Sequence, residues 1–208
     1  MTIKRGASPE RFYFDLHKTT GFYSSIILLI LAFTGFSFNY VDYIKPLIRS
    51  FSAVKEKHLE EPDVKSKVID NAKPLSIARA MAQADTVFPD AELRGVETPD
   101  GKEGVYSISK RQSGEANHRW SRSKVWVDQY SGKVLAVQDP NQFTSGETFL
   151  NLMWPLHSGE AFGFAGRILW CVIGFAPLVL YVSGIIRWLQ KRKAHQLKTA
   201  KIRKAALP

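Results

Sequence analysis

The sequence is poor in the residue patterns from which most enzyme centres are built. It holds one cysteine, Cys171, inside an apolar run. No intrachain disulfide can form, and the residue reads as a small apolar packing group. No nucleophile stands beside a base, no glycine-rich phosphate loop opens a helix, and no Cys/His cluster has metal-ligand spacing. Hydrolase, kinase and zinc-site readings therefore have no support. A dinucleotide fingerprint is missing as well. Acidic residues are absent from 167–208, a stretch that holds nine basic ones.

That last absence explains the formal net charge of +10. Residues 43–166 are balanced, with 16 basic and 16 acidic side chains. The excess sits in two ends that flank apolar runs, which is the pattern of the positive-inside rule. A nucleic-acid binder would instead carry a basic face on its folded domain, so no nucleic-acid partner is expected.

Long uncharged runs are what the chain does have. Between Arg167 and Arg187 lie 19 residues without a formal charge, and all but Ser183 are apolar, small or aromatic. At ~1.5 Å of rise per residue they cover roughly 28 Å, close to the ~30 Å hydrocarbon core of a bilayer. A second uncharged run, Thr19 to Val41, has 23 residues. It is too long for the apolar region of a signal peptide, and no A-x-A-like site follows it. Both are expected to be retained transmembrane helices. Phe12, Tyr13 and Phe14 at one end of the first, and Phe38, Tyr40 and Tyr43 at the other, form aromatic belts. Gly21/Ser25 and Gly35/Asn39, each four apart, permit close helix approach.

The intervening residues alternate between helical and strand periodicities. Leu47 to Glu61 is amphipathic, after an exit at Lys45-Pro46. Ser76 caps a helix whose apolar stripe is Ile77, Ala80, Met81 and Ala84. Strands follow at Ala91–Glu97, Gly104–Lys110, Ser123–Asp128 and Lys133–Gln138, separated by turn residues. The expected fold class is an α+β membrane protein, with two transmembrane helices flanking a small extracytoplasmic domain of one helix on an antiparallel sheet. The segments are 1–15, a cytoplasmic N-terminus; 16–43, the first membrane helix; 44–61, an amphipathic connector; 62–140, the domain; 141–165, an outer interfacial segment; 166–188, the second membrane helix; and 189–208, a basic cytoplasmic tail. With both basic ends on one side, the domain lies on the other. In a bacterium that places the termini in the cytoplasm and residues 62–140 in the periplasm.

DLHKTTGFYSSIILLILAFTG, VWVDQYSGKVLAV and PLHSGEAFGFAGRILWCVIGFAPLVLYVSGIIRWLQKRK together resemble the PepSY-associated transmembrane proteins of bacterial inner membranes. The last segment carries the most specific pattern: a His, then Gly-Glu, Phe-Gly and Gly-Arg, then an apolar span ending in Gly, Trp and basic residues. The strand–turn–strand VDQYSGKV looks like the end of a PepSY domain. The resemblance covers residues 10–193. Larger relatives have four membrane helices, and some resemble iron-regulated membrane proteins and ferric-siderophore reductases that carry b-type haem on membrane histidines. This chain, with two helices and one PepSY-like domain, resembles half of such a protein or a minimal stand-alone member.

The resemblance draws attention to His17, in Asp15-Leu16-His17-Lys18, and His157, in Pro155-Leu156-His157-Ser158. Ionisable residues at membrane depth invite a functional reading, and haem iron takes axial histidines. Ordinary interfacial anchoring is the other reading of both. They fall at opposite ends of the membrane, roughly 30 Å apart, so they cannot ligate one iron. In a two-fold dimer, or with a partner membrane subunit, each could meet a second histidine. Arg167 could pair with Glu160 or a haem propionate, or reach toward the interface as an arginine at a helix end does. Trp154, Phe162, Phe164 and Trp170 line an outer mouth or form a belt. His58 and His118 are expected on the domain surface and His195 in the tail. The leading function is haem-dependent electron transfer across the bilayer, with an external acceptor such as a ferric siderophore. The alternative is a non-catalytic, membrane-anchored PepSY module that binds or regulates an envelope protease, sensor or transporter.

Overall fold

A computed structural model of the chain describes residues 2–4, 6, 8–55 and 59–205. The chain divides into two compact units, Met1–Phe33 with Phe164–Pro208, and Thr34–Gly163.

The first helix, α1, spans Pro9–Asn39. Its start is set by Ser8, whose hydroxyl accepts the Arg11 N–H at 3.4 Å, and by Pro9, whose missing N–H costs nothing in a first turn. At its end the Asn39 side-chain amide donates to the Gly35 carbonyl at 3.0 Å, capping one of the carbonyls a helix terminus leaves open. The chain breaks at Tyr40 (φ −129°, ψ 39°) and resumes as α2, Val41–Arg49. Pro46 therefore lies inside a helix, and the backbone break comes at Tyr40, ahead of Lys45-Pro46. Beyond Arg49 the chain turns and is non-helical at 53–55, so the helical part of the amphipathic connector is shorter than Leu47 to Glu61. Part of that connector, with His58, lies outside the described residues.

The last two helices are α6, Gly163–Ile173, and α7, Ala176–Ala205. The second apolar run is thus broken at Gly174–Phe175 rather than wound as one helix. Pro177 is the physical cause: it has no N–H for the Ile173 carbonyl, and its ring crowds the preceding turn. Within the first unit α1 and α7 run antiparallel, since successive contacts pair Phe14 with Arg187, His17 with Ser183 and Gly21 with Leu180. Two stretches, Pro9–Asn39 and Glu160–Ile202, are long and apolar enough to cross a membrane. Only 17 % and 11 % of their most apolar windows is buried in the protein, far too little for core helices of a water-soluble fold.

The second unit is built on a four-stranded antiparallel meander, with β1 Glu92–Glu97, β2 Val105–Arg111, β3 Ser123–Asp128 and β4 Val134–Gln138 in sequential order. Helix α3, Ile77–Val87, packs on one face. Ser76 caps it by accepting the Arg79 N–H, as its position before an apolar stripe predicts. Period 2 in the strands meets period 3.6 in the helix: Tyr106, Ile108, Val125 and Val127 face Ala80, Ala84 and Phe88. Of the expected stripe, Ile77 is instead exposed, being in the first turn beyond the sheet's cover.

Four buried carboxylates tie the loops to this core by accepting backbone N–H groups. Asp128 takes those of Lys67, Tyr130 and Ser131; Glu115 takes those of Gln112 and Arg122; Glu147 takes those of Lys55 and Thr144; Glu160 takes those of His118 and Arg119. Glu147 also completes a capping box with Thr144 that opens α4, Ser145–Asn151. Helix α5, Met153–His157, follows directly.

Candidate functional site

His17 and His157 are placed in different units, each beside a hydroxyl followed by a glycine. In the first unit, His17 Nδ1 lies 3.0 Å from Ser183 Oγ. Ser183 is 1 % exposed, and its hydroxyl also lies 2.6 Å from the Val179 carbonyl. A serine hydroxyl has one proton. With that proton on the Val179 carbonyl, Oγ can only accept from His17, so Nδ1 carries the imidazole hydrogen. The neutral ring then bears its lone pair on Nε2. A Cβ added to Gly184 would stand 3.4 Å from His17 Cε1, an ordinary contact, so the glycine leaves about one methyl of space against the ring.

In the second unit the same pattern recurs. His157 Nδ1 lies 2.8 Å from Oγ1 of Thr34, which is 1 % exposed. A Cβ on Gly35 would stand 3.5 Å from His157 Cε1. His157 is the last residue of α5, and Gly159 beyond it takes φ 72°, the left-handed conformation that ends a helix. Trp154 lies three positions earlier on the same face, and both rings meet Phe38, at centroid distances of 6.0 and 5.3 Å. Among the described residues no hydrogen-bonding group meets Nε2 of either histidine. His17 is exposed and His157 half-buried.

The arrangement suits metal ligation. A ligating histidine usually spends its second nitrogen on a fixed partner, which sets tautomer and ring angle. Here that partner is a buried hydroxyl in both cases. Each unit holds one imidazole set in this way, His17 in the first and His157 in the second.

The other sequence candidates are divided between the two units. Arg167 is an exposed residue of α6 in the first unit. Glu160, considered as its partner, is 4 % exposed and holds the backbone of His118 and Arg119 within the second. His118 is exposed, with Nε2 3.2 Å from an Arg111 guanidinium nitrogen, and His195 is exposed on α7. Phe162 and Phe164 are exposed, whereas Trp170 is buried. Sequence reasoning missed Thr34 and Ser183 as the partners of the histidines. The available signal was a hydroxyl–glycine pair, Thr34-Gly35 and Ser183-Gly184, inside each uncharged run.

Among curated proteins no relative matches this chain. A family model does: that of the PepSY-associated TM region matches residues 1–191. The long lipid-ready helices, the helix-on-meander unit and this match lead to one conclusion, that the chain is a membrane protein belonging to the PepSY-associated TM family.

Proposed function

We propose that the protein is an inner-membrane, haem-dependent electron-transfer component of the kind a ferric-siderophore reductase requires. It acts as a homodimer or with a partner membrane subunit. The observation that carries this reading is the shared setting of His17 and His157: Nδ1 held by a buried hydroxyl, Nε2 open, a glycine beside the ring. His17 and His157 would hold haem b, and the exposed Arg167 is the cation assigned to a propionate. When bound, haem supplies a one-electron carrier. The chain's own residues do the positioning. Ser183 keeps the proton on Nδ1 of His17, so that Nε2 is basic. Thr34 fixes the ring angle of His157, and Phe38 and Trp154 shield its flank from water. Because the basic residues concentrate at the two ends, both termini are assigned to the cytoplasm and residues 62–140 to the periplasm.

The test is the visible spectrum of the full-length protein purified in detergent from haem-replete cells, with a pyridine-haemochrome assay and a mass measurement. A Soret band is expected, lowered by about half in His17→Ala and in His157→Ala and abolished in the double variant. A colourless wild-type protein of unaltered fold overturns the proposal. It would leave the chain as a membrane-anchored module acting on an envelope protease, sensor or transporter.

A further inference from the structure

Helix α2 carries an apolar stripe on its exposed side. Tyr43, Leu47 and Phe51 are spaced four apart, so they rise along one face of the helix and its closing turn. Phe51 stays on that face because the winding continues past Arg49: its N–H and that of Ser52 both donate to the Ile48 carbonyl, at 2.9 Å each. The three side chains are 75 %, 61 % and 84 % exposed. The other faces of α2 have different company. Ile44 is buried, and Ile48 lies against Gly146 of α4, where an added Cβ would stand 2.8 Å from its Cγ2. That side belongs to the second unit's own packing. Asp42 and Arg49, seven apart, are exposed and form a charged edge. Three large apolar groups in a row on one exposed face mark an interaction surface rather than isolated surface residues.

What covers the stripe follows from where it starts. Phe36 is exposed on α1, inside the stretch apolar enough to cross a bilayer. Tyr40, at the break, stacks on Phe36 with centroids 4.8 Å apart and meets Tyr43 at 6.1 Å. The exposed apolar surface of the span thus runs on through Tyr40 and Tyr43 to Leu47 and Phe51. Only Tyr40 separates α1 from α2, so α2 begins at the level where the span ends. The surroundings at that level are the boundary between headgroups and acyl chains, which suits rings with a polar tip such as tyrosine.

We propose that α2 is an interfacial helix, with Tyr43, Leu47 and Phe51 immersed in the phospholipid leaflet and Asp42 and Arg49 turned toward headgroups and water. The occupant of the stripe is lipid, and the stripe sits ~5–10 Å into the headgroup–acyl boundary, as the apolar faces of such helices do. One side of α2 is then fastened to the second unit through Ile44 and Ile48, and another to the membrane. It holds that unit against the leaflet instead of leaving it to swing from the end of the span. This assignment does not depend on haem.

Site-directed spin labelling of the full-length protein in phosphatidylcholine–phosphatidylglycerol vesicles tests it. Cys171→Ala removes the one native thiol, and a nitroxide is then placed in turn at Tyr43→Cys, Leu47→Cys, Phe51→Cys and Asp42→Cys. Molecular oxygen concentrates in the bilayer, whereas a water-soluble nickel complex stays outside. At 43, 47 and 51 the accessibility to oxygen should exceed that to nickel by about threefold or more, with the order reversed at 42. All four positions are exposed, so the labels displace no packed side chain. Each label reports independently, and loss of one variant leaves the others to decide. Nickel-accessible labels at 47 or 51 would mean a helix standing in water and overturn the proposal. Labels at those positions shielded from both reagents would mean cover by protein, such as a second copy of the chain, and overturn it as well.

Discussion

At the scale of single residues, the tautomer of His17 is decided by one serine proton. Ser183 spends it on the Val179 carbonyl, 2.6 Å away, and so can only receive from Nδ1. Ser183→Ala should therefore release the ring, and Ser183→Thr should hold it. The expected loss for alanine is about tenfold in haem affinity of that site, read by titrating haem into apoprotein that also carries His157→Ala. Equal affinities for alanine and threonine would refute the role given to the hydroxyl. Gly184→Ala should be tolerated, because its methyl would sit in ordinary contact with the ring. Gly184→Leu should displace the imidazole and lower haem content. Both histidines and the lone polar Ser183 were visible in the sequence. Their pairing was not, because 166 residues separate His17 from Ser183 and 123 separate Thr34 from His157. Contacts of that span depend on how helices pack, which no local pattern encodes.

Secondary-structure elements divide into those announced by local chemistry and those decided elsewhere. All four strands fall within one residue of their sequence positions, because a β-branched and aromatic run such as Val125-Trp126-Val127 ends in a turn that the sequence also marks. The break at Tyr40 has no local signature. At Gly174–Phe175 the signature, Pro177, was present but outweighed by the length of the apolar run. The turn after β3 gives a measurable consequence. Burial alone would raise the Asp128 carboxyl, but N–H groups of Ser131, Lys67 and Tyr130 outweigh that and hold its pKa below the ordinary aspartate value. A carboxylate lowered in the folded state adds stability that is fully present above the unfolded pKa of ~3.9 and is lost as pH falls through the folded one. Asp128→Asn should cost about 2 kcal/mol near neutral pH, where hydrogen bonds to the charged form are lost. Thermal melts from pH 6 down to pH 2.5 should show the gap between wild type and variant narrowing below pH 4. A gap independent of pH would mean that the charge is immaterial to the turn.

For the whole molecule, the orientation proposed above rests on the charge asymmetry of the sequence. Protease added to spheroplasts should cut within residues 62–140 and spare the tail, which becomes accessible only after lysis; cleavage of the tail in intact spheroplasts would reverse the assignment. Class and architecture were legible because uncharged length and period 2 are one-dimensional signals. A cavity lined by Phe38, Arg122, Asn151 and Trp154 was not, since these come from three separate stretches of the chain. One feature of the fold reaches past all of these sites. Helix α7 has 30 residues and so runs ~45 Å, well beyond a ~30 Å hydrocarbon layer. Past Trp188 it carries lysines and arginines with no acidic neighbour to offset their mutual repulsion. A short cationic rod of that kind unwinds readily in plain water. Anionic phospholipid headgroups would offset that repulsion and should hold the segment wound, whereas a neutral leaflet should let it fray into a loose basic strand.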